Sequence, residues 1–148
     1  MAALSAARVE PRYEEWAERK VPLAATIVVY AGAMVCLDTA DGMYKVGVNS
    51  TTLINVGIAQ ESVDSTGTAA GATLCNVKFH RPIKGRWFLN DPGANPAVAA
   101  NRGSDCYILN DQTVTMLSTT ASKAGRVWEV ATIDGQSCVF VEAFSGSL

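Results

Sequence analysis

The chain has 148 residues, of which 49% are hydrophobic and 18% are charged. This length suits one compact domain, and the apolar content excludes a disordered chain. Twelve basic side chains against fourteen acidic ones give a net charge of −2. Because proteins that bind nucleic acid usually carry a basic excess, nucleic acid is not the expected partner.

The apolar segments and the N-terminus are unlike those of membrane or exported proteins. The longest apolar run, residues 23–37, is interrupted by Thr26 and Gly32 and is too short to span a bilayer. The N-terminus lacks the basic flank and apolar core of a secretory signal. The sequence therefore predicts a protein that is made in the cytoplasm, is used without export and has no membrane partner.

Residues 1–22 differ in texture from the rest, because they are rich first in alanine and then in charged residues. Pro11 suits the first turn of a helix, and Arg19 would lie near its negative end. Tyr13 and Trp16 would share one face of that helix. Since a helix this short needs a surface to pack on, we predict an N-terminal arm that docks either on its own domain or on a neighbouring subunit.

From residue 23 onward, short apolar runs alternate with glycine and other turn residues, which is typical of an all-β domain. The predicted fold is therefore mostly β, with one small barrel or sandwich-like domain over residues 23–148 and a short helix in the arm. Closing the sheet would protect the edges of so many short strands. The predicted strands are 26–30, 34–38, 44–47, 55–60, 72–81, 86–90, 105–109, 112–117, 126–133 and 136–144.

Turn chemistry adds detail to this outline. Three dipeptides, Asp41-Gly42, Asn110-Asp111 and Asp134-Gly135, favour tight turns and so predict three hairpins. Residues 91–96, with two prolines, and residues 63–71, rich in small polar residues, are predicted loops.

Alternation in the last two predicted strands indicates which side chains share a face. In the final strand Val139 and Val141 point to the same side. In the strand before it, strict alternation places Trp128 and Val130 together and Val127 on the opposite face.

The four cysteines, Cys36, Cys75, Cys106 and Cys138, are more than thirty residues apart along the chain. Zinc sites usually draw their ligands from close pairs, and no such pair is present. Each cysteine lies in an apolar stretch, where a free thiol behaves as a small hydrophobic group. We therefore predict four buried free thiols, and neither a metal site nor a cofactor.

His80 is the single histidine, so it is the only candidate for the base of a catalytic triad. No Gly-x-Ser-x-Gly nucleophile motif accompanies it. Because basic residues flank it in a predicted strand, we expect a surface or interface group. The sequence thus predicts a protein that is not an enzyme and has no catalytic residues.

One local cluster of positive charge is interleaved with aromatic residues. The basic members are Lys78, Arg81, Lys84 and Arg86, and the aromatic members are Phe79, Trp87 and Phe88. In an oligonucleotide-binding barrel such a surface could bind phosphates and stack bases. Alternatively it is a solvated or subunit-contacting edge, which the negative net charge favours. Trp87 and Phe88 are expected in the core.

The order of several segments resembles that of the decoration (cement) proteins of tailed-phage capsids. The resemblance covers about residues 27–144 and is carried by AGAMVCLD (31–38), VGIAQESVD (56–64), DCYILNDQTV (105–114) and SKAGRV (122–127). It implies a barrel-like body that binds the outer face of the capsid lattice and stabilises it. The implied partners are the major capsid protein and copies of the chain itself, as a trimer or a dimer, and the implied location is the virion exterior.

On this interpretation the contacts are expected to involve aromatic anchors and basic residues, which often dominate interfaces. The residues expected at the capsid or subunit interface are Tyr13, Trp16, Arg19, Lys78, Arg81, Lys84 and Arg86. The alternatives are an oligonucleotide-binding barrel that uses the 78–86 region, and a structural component of a tail or fibre.

Overall fold

The computed structural model describes residues 18–80 and 84–143. In those residues the regular structure comprises twelve strands and one 3₁₀ helix, which confirms the predicted mostly-β fold. The strands are β1 (Glu18–Pro22), β2 (Val28–Val29), β3 (Met34–Asp38), β4 (Tyr44–Val46), β5 (Leu53–Ala59), β6 (Val63–Asp64), β7 (Leu74–Phe79), β8 (Lys84–Asn90), β9 (Asp105–Ile108), β10 (Thr113–Thr115), β11 (Lys123–Ile133) and β12 (Gln136–Ala143), and the 3₁₀ helix covers Ala99–Asn101. Over the same ranges no helix is long and apolar enough to cross a membrane.

The first half of the chain forms a five-stranded sheet in the order β1-β7-β5-β3-β4, with every pair antiparallel. Leu23, directly after β1, forms a parallel bridge to Tyr44 in β4. The Ala24 amide also donates to the Tyr44 carbonyl at 2.8 Å. The two edges of this sheet are therefore joined at one point, and Leu23 is fully buried there.

The second half of the chain forms a closed barrel in the order β10-β8-β12-β11-β9. Its strands pair antiparallel except for β10 and β8, which are parallel. Closure leaves the barrel without a free edge, which removes the usual site of stray strand pairing. A small third sheet, β2 with β6, completes the fold.

Strand β3 lies between two hydrophobic cores. Met34 and Cys36 pack with the interior residues of the barrel, whereas Val35 packs in the core of the five-stranded sheet. The barrel core includes Val139 and Val141, both fully buried, as the predicted alternation in the last strand requires. Because successive side chains of β3 point in opposite directions, one strand links the packing of both halves.

The three predicted hairpins are confirmed. Gly42 has φ +73° and Gly135 has φ +79°, conformations that glycine adopts without a steric penalty. In the β9–β10 hairpin the Gln112 amide donates to Asn110 Oδ1 at 3.0 Å. The 91–96 segment is a loop as predicted, but 63–71 is not entirely one, because β6 at its start pairs with β2.

The region assigned to the N-terminal arm contributes a strand to the domain. β1 pairs with β7 over its whole length, so Arg19 lies in a strand and not at the end of a helix. The propensity of a charged segment is overridden here by pairing with a tertiary neighbour. The rest of the predicted arm, with Tyr13 and Trp16, lies outside the described residues.

A β-bulge in β11 overturns the alternation predicted for that strand. Val127 pairs with Val141 and Glu129 pairs with Phe140, so Trp128 is an extra residue in the ladder. The bulge shifts the side-chain parity by one residue. Val127 therefore lies in the barrel core, Val130 on the other side of the bulge packs against that core, and Trp128 is 56% exposed.

Candidate functional site

The four cysteines are buried and unpaired, which confirms the sequence prediction. Burial raises the pKa of the Cys36 thiol and of the Cys106 thiol to about 12 in each case, and it also raises the pKa of Cys75. These three thiols stay protonated at neutral pH and are poor nucleophiles. In the described ranges no group of three or more histidine, cysteine or acidic residues could hold a metal ion.

His80 is completely buried, so the expectation of a surface or interface histidine is wrong. It follows the end of β7, and its backbone amide donates to the Val56 carbonyl at 3.0 Å. The Arg86 Nε donates to His80 Nδ1 at 3.5 Å, so the other ring nitrogen, Nε2, carries the proton. Nε2 donates to Asn55 Oδ1 at 3.0 Å.

The hydrogen-bond chain that passes through His80 joins the two halves of the protein. Asn55 in β5 continues it by donating from Nδ2 to the Ala124 carbonyl in β11 at 2.9 Å. Desolvation and the nearby Arg86 cation lower the pKa of His80 to about 3. The ring therefore stays neutral at pH 7, with both of its nitrogens hydrogen-bonded inside the fold.

Arg86 points toward the interior of the barrel. It shares a strand face with Phe88, which is buried as predicted, and its cross-strand partner Val141 is fully buried. Its Nη2 atom is buried and has no hydrogen-bond partner. Desolvation lowers the pKa of the guanidinium.

The outward face of β8 and the adjoining strands β12 and β11 carries an aromatic surface, which we call the outer wall. The rings of Trp87 and Phe140 are 5.0 Å apart and tilted by 48°, a stable aromatic geometry. Trp87 is 46% exposed, so the prediction that it lies in the core is wrong, because its neighbour Phe88 takes the inward position. Trp128 at the bulge and Ile133 near the end of β11 are 56% and 39% exposed.

The glycine at the start of this face allows the aromatic pair to form. A Cβ on Gly85 would overlap the ring of Phe140. The Phe140 ring therefore lies directly over the Gly85 backbone and shields it, as aromatic residues often do beside a strand glycine. The sequence analysis grouped Trp87 with the basic cluster as a possible contact edge but expected it in the core, and it did not foresee the pairing with Phe140.

The predicted basic residues whose side chains the structure describes, Arg19, Lys78 and Arg86, do not share one surface. Lys78 is exposed on β7 opposite Glu18, whereas Arg19 pairs with Val77 and so lies on the other face of the sheet. Arg86 belongs to the barrel and points inward. Arg81 and the side chain of Lys84 lie outside the described part of the chain.

Two open cavities flank the β9–β10 hairpin. One, of about 490 Å³, is lined by residues of the barrel end, including Asn90, Asp91 and Gln136. The other, of about 540 Å³, is lined by Tyr30 and its neighbours. The Asp91 carboxylate is already engaged, since it accepts from the Gly93 amide and the Thr115 hydroxyl at 2.7 Å each. Neither lining contains a histidine, a cysteine or a basic residue.

In comparisons with known proteins, no family model, no curated protein and no solved structure matches this chain. The structure is that of a small, mostly-β protein with several sheets, one of them a closed barrel.

Proposed function

We propose that this chain is a structural virion protein of a tailed phage that binds the outer surface of the capsid lattice and stabilises it. The observation that supports this proposal most is the outer wall, where Trp87 and Trp128 are exposed on a closed barrel. Large exposed apolar surfaces usually mark contact sites with other macromolecules. Tryptophan is among the residues that most often dominate the energy of such contacts.

A rigid aromatic face suits attachment to a lattice. Since the barrel has no free edge, binding through this face requires little ordering of the backbone, which limits the entropic cost of association. A lattice presents the same contact many times, so an oligomer gains avidity even where each contact is weak. The proposed partners are accordingly the major capsid protein and copies of the chain itself, as a trimer or a dimer on the virion exterior.

The proposal is tested by co-sedimentation of the purified protein with assembled capsids of the phage that encodes it. We expect binding to assembled capsids and much weaker binding to unassembled capsid subunits. Replacing Trp87 or Trp128 with alanine should weaken capsid binding by about tenfold or more, because each substitution removes an aromatic anchor. Tyr30→Ala is the matched control, since Tyr30 is an exposed aromatic residue outside the outer wall, 65% exposed.

Equal affinity for assembled and unassembled capsid protein would contradict attachment to the lattice. Unchanged binding by both tryptophan variants would contradict the role of the outer wall. The alternative of an oligonucleotide-binding barrel has less support, because Lys78 and Arg86 do not share a surface.

A further inference from the structure

Arg86 carries a partly buried positive charge that no described carboxylate pairs with. Its Nη2 atom is buried and makes no hydrogen bond. Arg86 forms no ion pair with any carboxylate in residues 18–80 and 84–143. The acid that comes closest in register, Glu142, pairs with Gly85 and so lies on the opposite, outward face of β8 and β12.

An unsatisfied charged donor is unusual in a folded protein. Removing a guanidinium nitrogen from water without giving it an acceptor is costly, and buried charges are nearly always paired. A hydrophobic side chain at this position would avoid that cost, as Phe88 does one step along the same face of β8. The donor is therefore best explained by an acceptor that binds to it.

The guanidinium is held in a fixed orientation. Its Nε atom donates to His80, whose ring is held by Asn55, and Asn55 is held by the backbone of β11. His80 is neutral, so it does not compete for an anion. The hydrogen bond from Nε thus fixes the plane of the guanidinium, and Nη2, the neighbouring nitrogen on the same edge, is left as an oriented donor without an acceptor.

We propose that Arg86 is the anchoring donor of a binding site for an oxyanion, either a carboxylate or a phosphate, at the junction between the five-stranded sheet and the barrel. A planar guanidinium matches both groups in geometry and charge, and the hydrogen bonds are charge-assisted. The source is either a free anion or the acidic side chain of a partner protein. The site does not depend on the capsid proposal, since it would bind its ligand in the isolated chain.

The test is thermal unfolding of the full chain at pH 7 in sodium phosphate, sodium acetate or sodium chloride of equal ionic strength. A ligand that binds only the folded state raises the midpoint by an amount that grows with the logarithm of its concentration above Kd. We expect phosphate, acetate or both to raise the midpoint by about 3 °C or more over chloride. Arg86→Gln should abolish the rise, and Arg86→Lys should reduce it.

Arg102→Gln is the matched control, because Arg102 is an exposed arginine that already pairs with Glu129 at 2.9 Å. It should keep the full response. A response to phosphate alone assigns the site to a free tetrahedral anion, and a response to acetate assigns it to a carboxylate of the kind that an acidic side chain supplies. No difference among the three salts, or an equal rise in Arg86→Gln, would overturn the proposal.

If Arg86→Gln does not fold, guanidinium ¹⁵N NMR of the unmodified protein shows whether Arg86 binds the anion. Titration with phosphate or acetate should shift the Arg86 side-chain signals and leave those of Arg102 unchanged. Signals of both arginines that move together, or that do not move, would overturn the proposal.

Discussion

Buried His80 makes the stability of the protein depend on pH. The pKa of this side chain is about 3 in the folded state, well below its ordinary value of 6.5. As the pH falls below 6.5, His80 becomes protonated in the unfolded chain but stays neutral in the folded chain. The free energy of unfolding therefore falls with decreasing pH until about pH 3, by at most about 1.4 kcal/mol per pH unit from this group.

Replacing His80 with glutamine, which can still donate to Asn55, should remove most of that dependence. We expect the stability of His80→Gln to change little between pH 6.5 and pH 5, while that of the unmodified protein falls. Urea unfolding at several pH values measures both curves. Because His80 is the only histidine, an equal slope in the two proteins would contradict the buried, neutral state of the ring.

Asp38 also makes stability depend on pH, but here the folded state favours the charged form of the side chain. Its carboxylate binds Lys45 Nζ at 2.7 Å and accepts from the Ala40 amide at 2.9 Å and the Thr52 hydroxyl at 2.8 Å. The hydrogen bond from Lys45, followed by those from Ala40 and Thr52, lowers the pKa of Asp38 to about 2. Since the folded pKa lies below the ordinary 3.8, this stabilisation is present above about pH 4 and is lost as the pH falls toward 2.

Asp38→Asn should lower the free energy of unfolding by about 1–2 kcal/mol at pH 7, because it weakens hydrogen bonds to a charged acceptor. The difference from the unmodified protein should shrink as the pH approaches 2. Chemical denaturation at pH 7 and pH 2.5 measures it. Asp134→Asn, at an exposed hairpin position with φ +52°, is the control and should have little effect. An equal loss at both pH values would contradict the charge-based account.

For single residues, the local sequence predicts burial correctly when the residue lies in an apolar run. It does not predict burial correctly elsewhere. The cysteines and Phe88 were predicted correctly for that reason. Trp87 was not, because alternation along β8 fixes which residues share a face without fixing which face is inward. His80 was not, because its partners Asn55 and Arg86 come from other strands.

The sequence predicts well the strands that are bounded by clear turn residues. It does not predict strands that form mainly because they pair with another strand. Strand β3 has the predicted limits, and the dipeptide turns formed where expected. Strand β1 was missed because its sequence, ERKVP, is mostly charged and becomes a strand by pairing with β7. The bulge at Trp128 was missed because a two-residue period assumes an uninterrupted ladder.

A substitution at Gly125 tests whether the stability of the barrel depends on the close approach of β11 to β12. A Cβ at this position would overlap the Glu142 carbonyl oxygen and press on Val141, and neither can move without disturbing the ladder. Gly125→Ala should therefore destabilise the protein by about 1–3 kcal/mol, as overpacking usually does. Equilibrium unfolding in urea measures the loss.

Gly103→Asn is the control for Gly125→Ala. Gly103 has φ +84° with open space around it, and asparagine tolerates this conformation better than most residues. It should cost less than about 1 kcal/mol. A loss for Gly125→Ala no greater than this would show that the strands can separate without cost.

At the scale of the whole molecule, the two halves are joined by packing and by hydrogen bonds. Strand β3 contributes to both cores, and the chain from Arg86 through His80 and Asn55 to the β11 backbone crosses the junction. A barrel or sandwich was predicted, but not a closed barrel beside a second sheet. Strand order depends on pairs distant in sequence, such as β1 with β7, and local patterns do not encode them.

The candidate surface follows from this architecture more than from any motif. The outer wall exists because β8, β12 and β11 are neighbours, so that Trp87 and Phe140 pair across strands far apart in the sequence. Within the predicted basic cluster, Lys78 and Arg86 are close in the sequence but lie in different sheets of the fold. Contiguity along a chain that changes sheets, as it does between β7 and β8, is a poor guide to a shared surface.

The central claim, attachment to a capsid exterior through the outer wall, is tested most directly by electron cryomicroscopy of capsids with the purified protein bound. We expect density for the barrel on the outside of the shell, with Trp87 and Trp128 covered by the capsid protein or by a sister subunit. Capsids without such density, or bound copies whose two tryptophans face solvent, would contradict it.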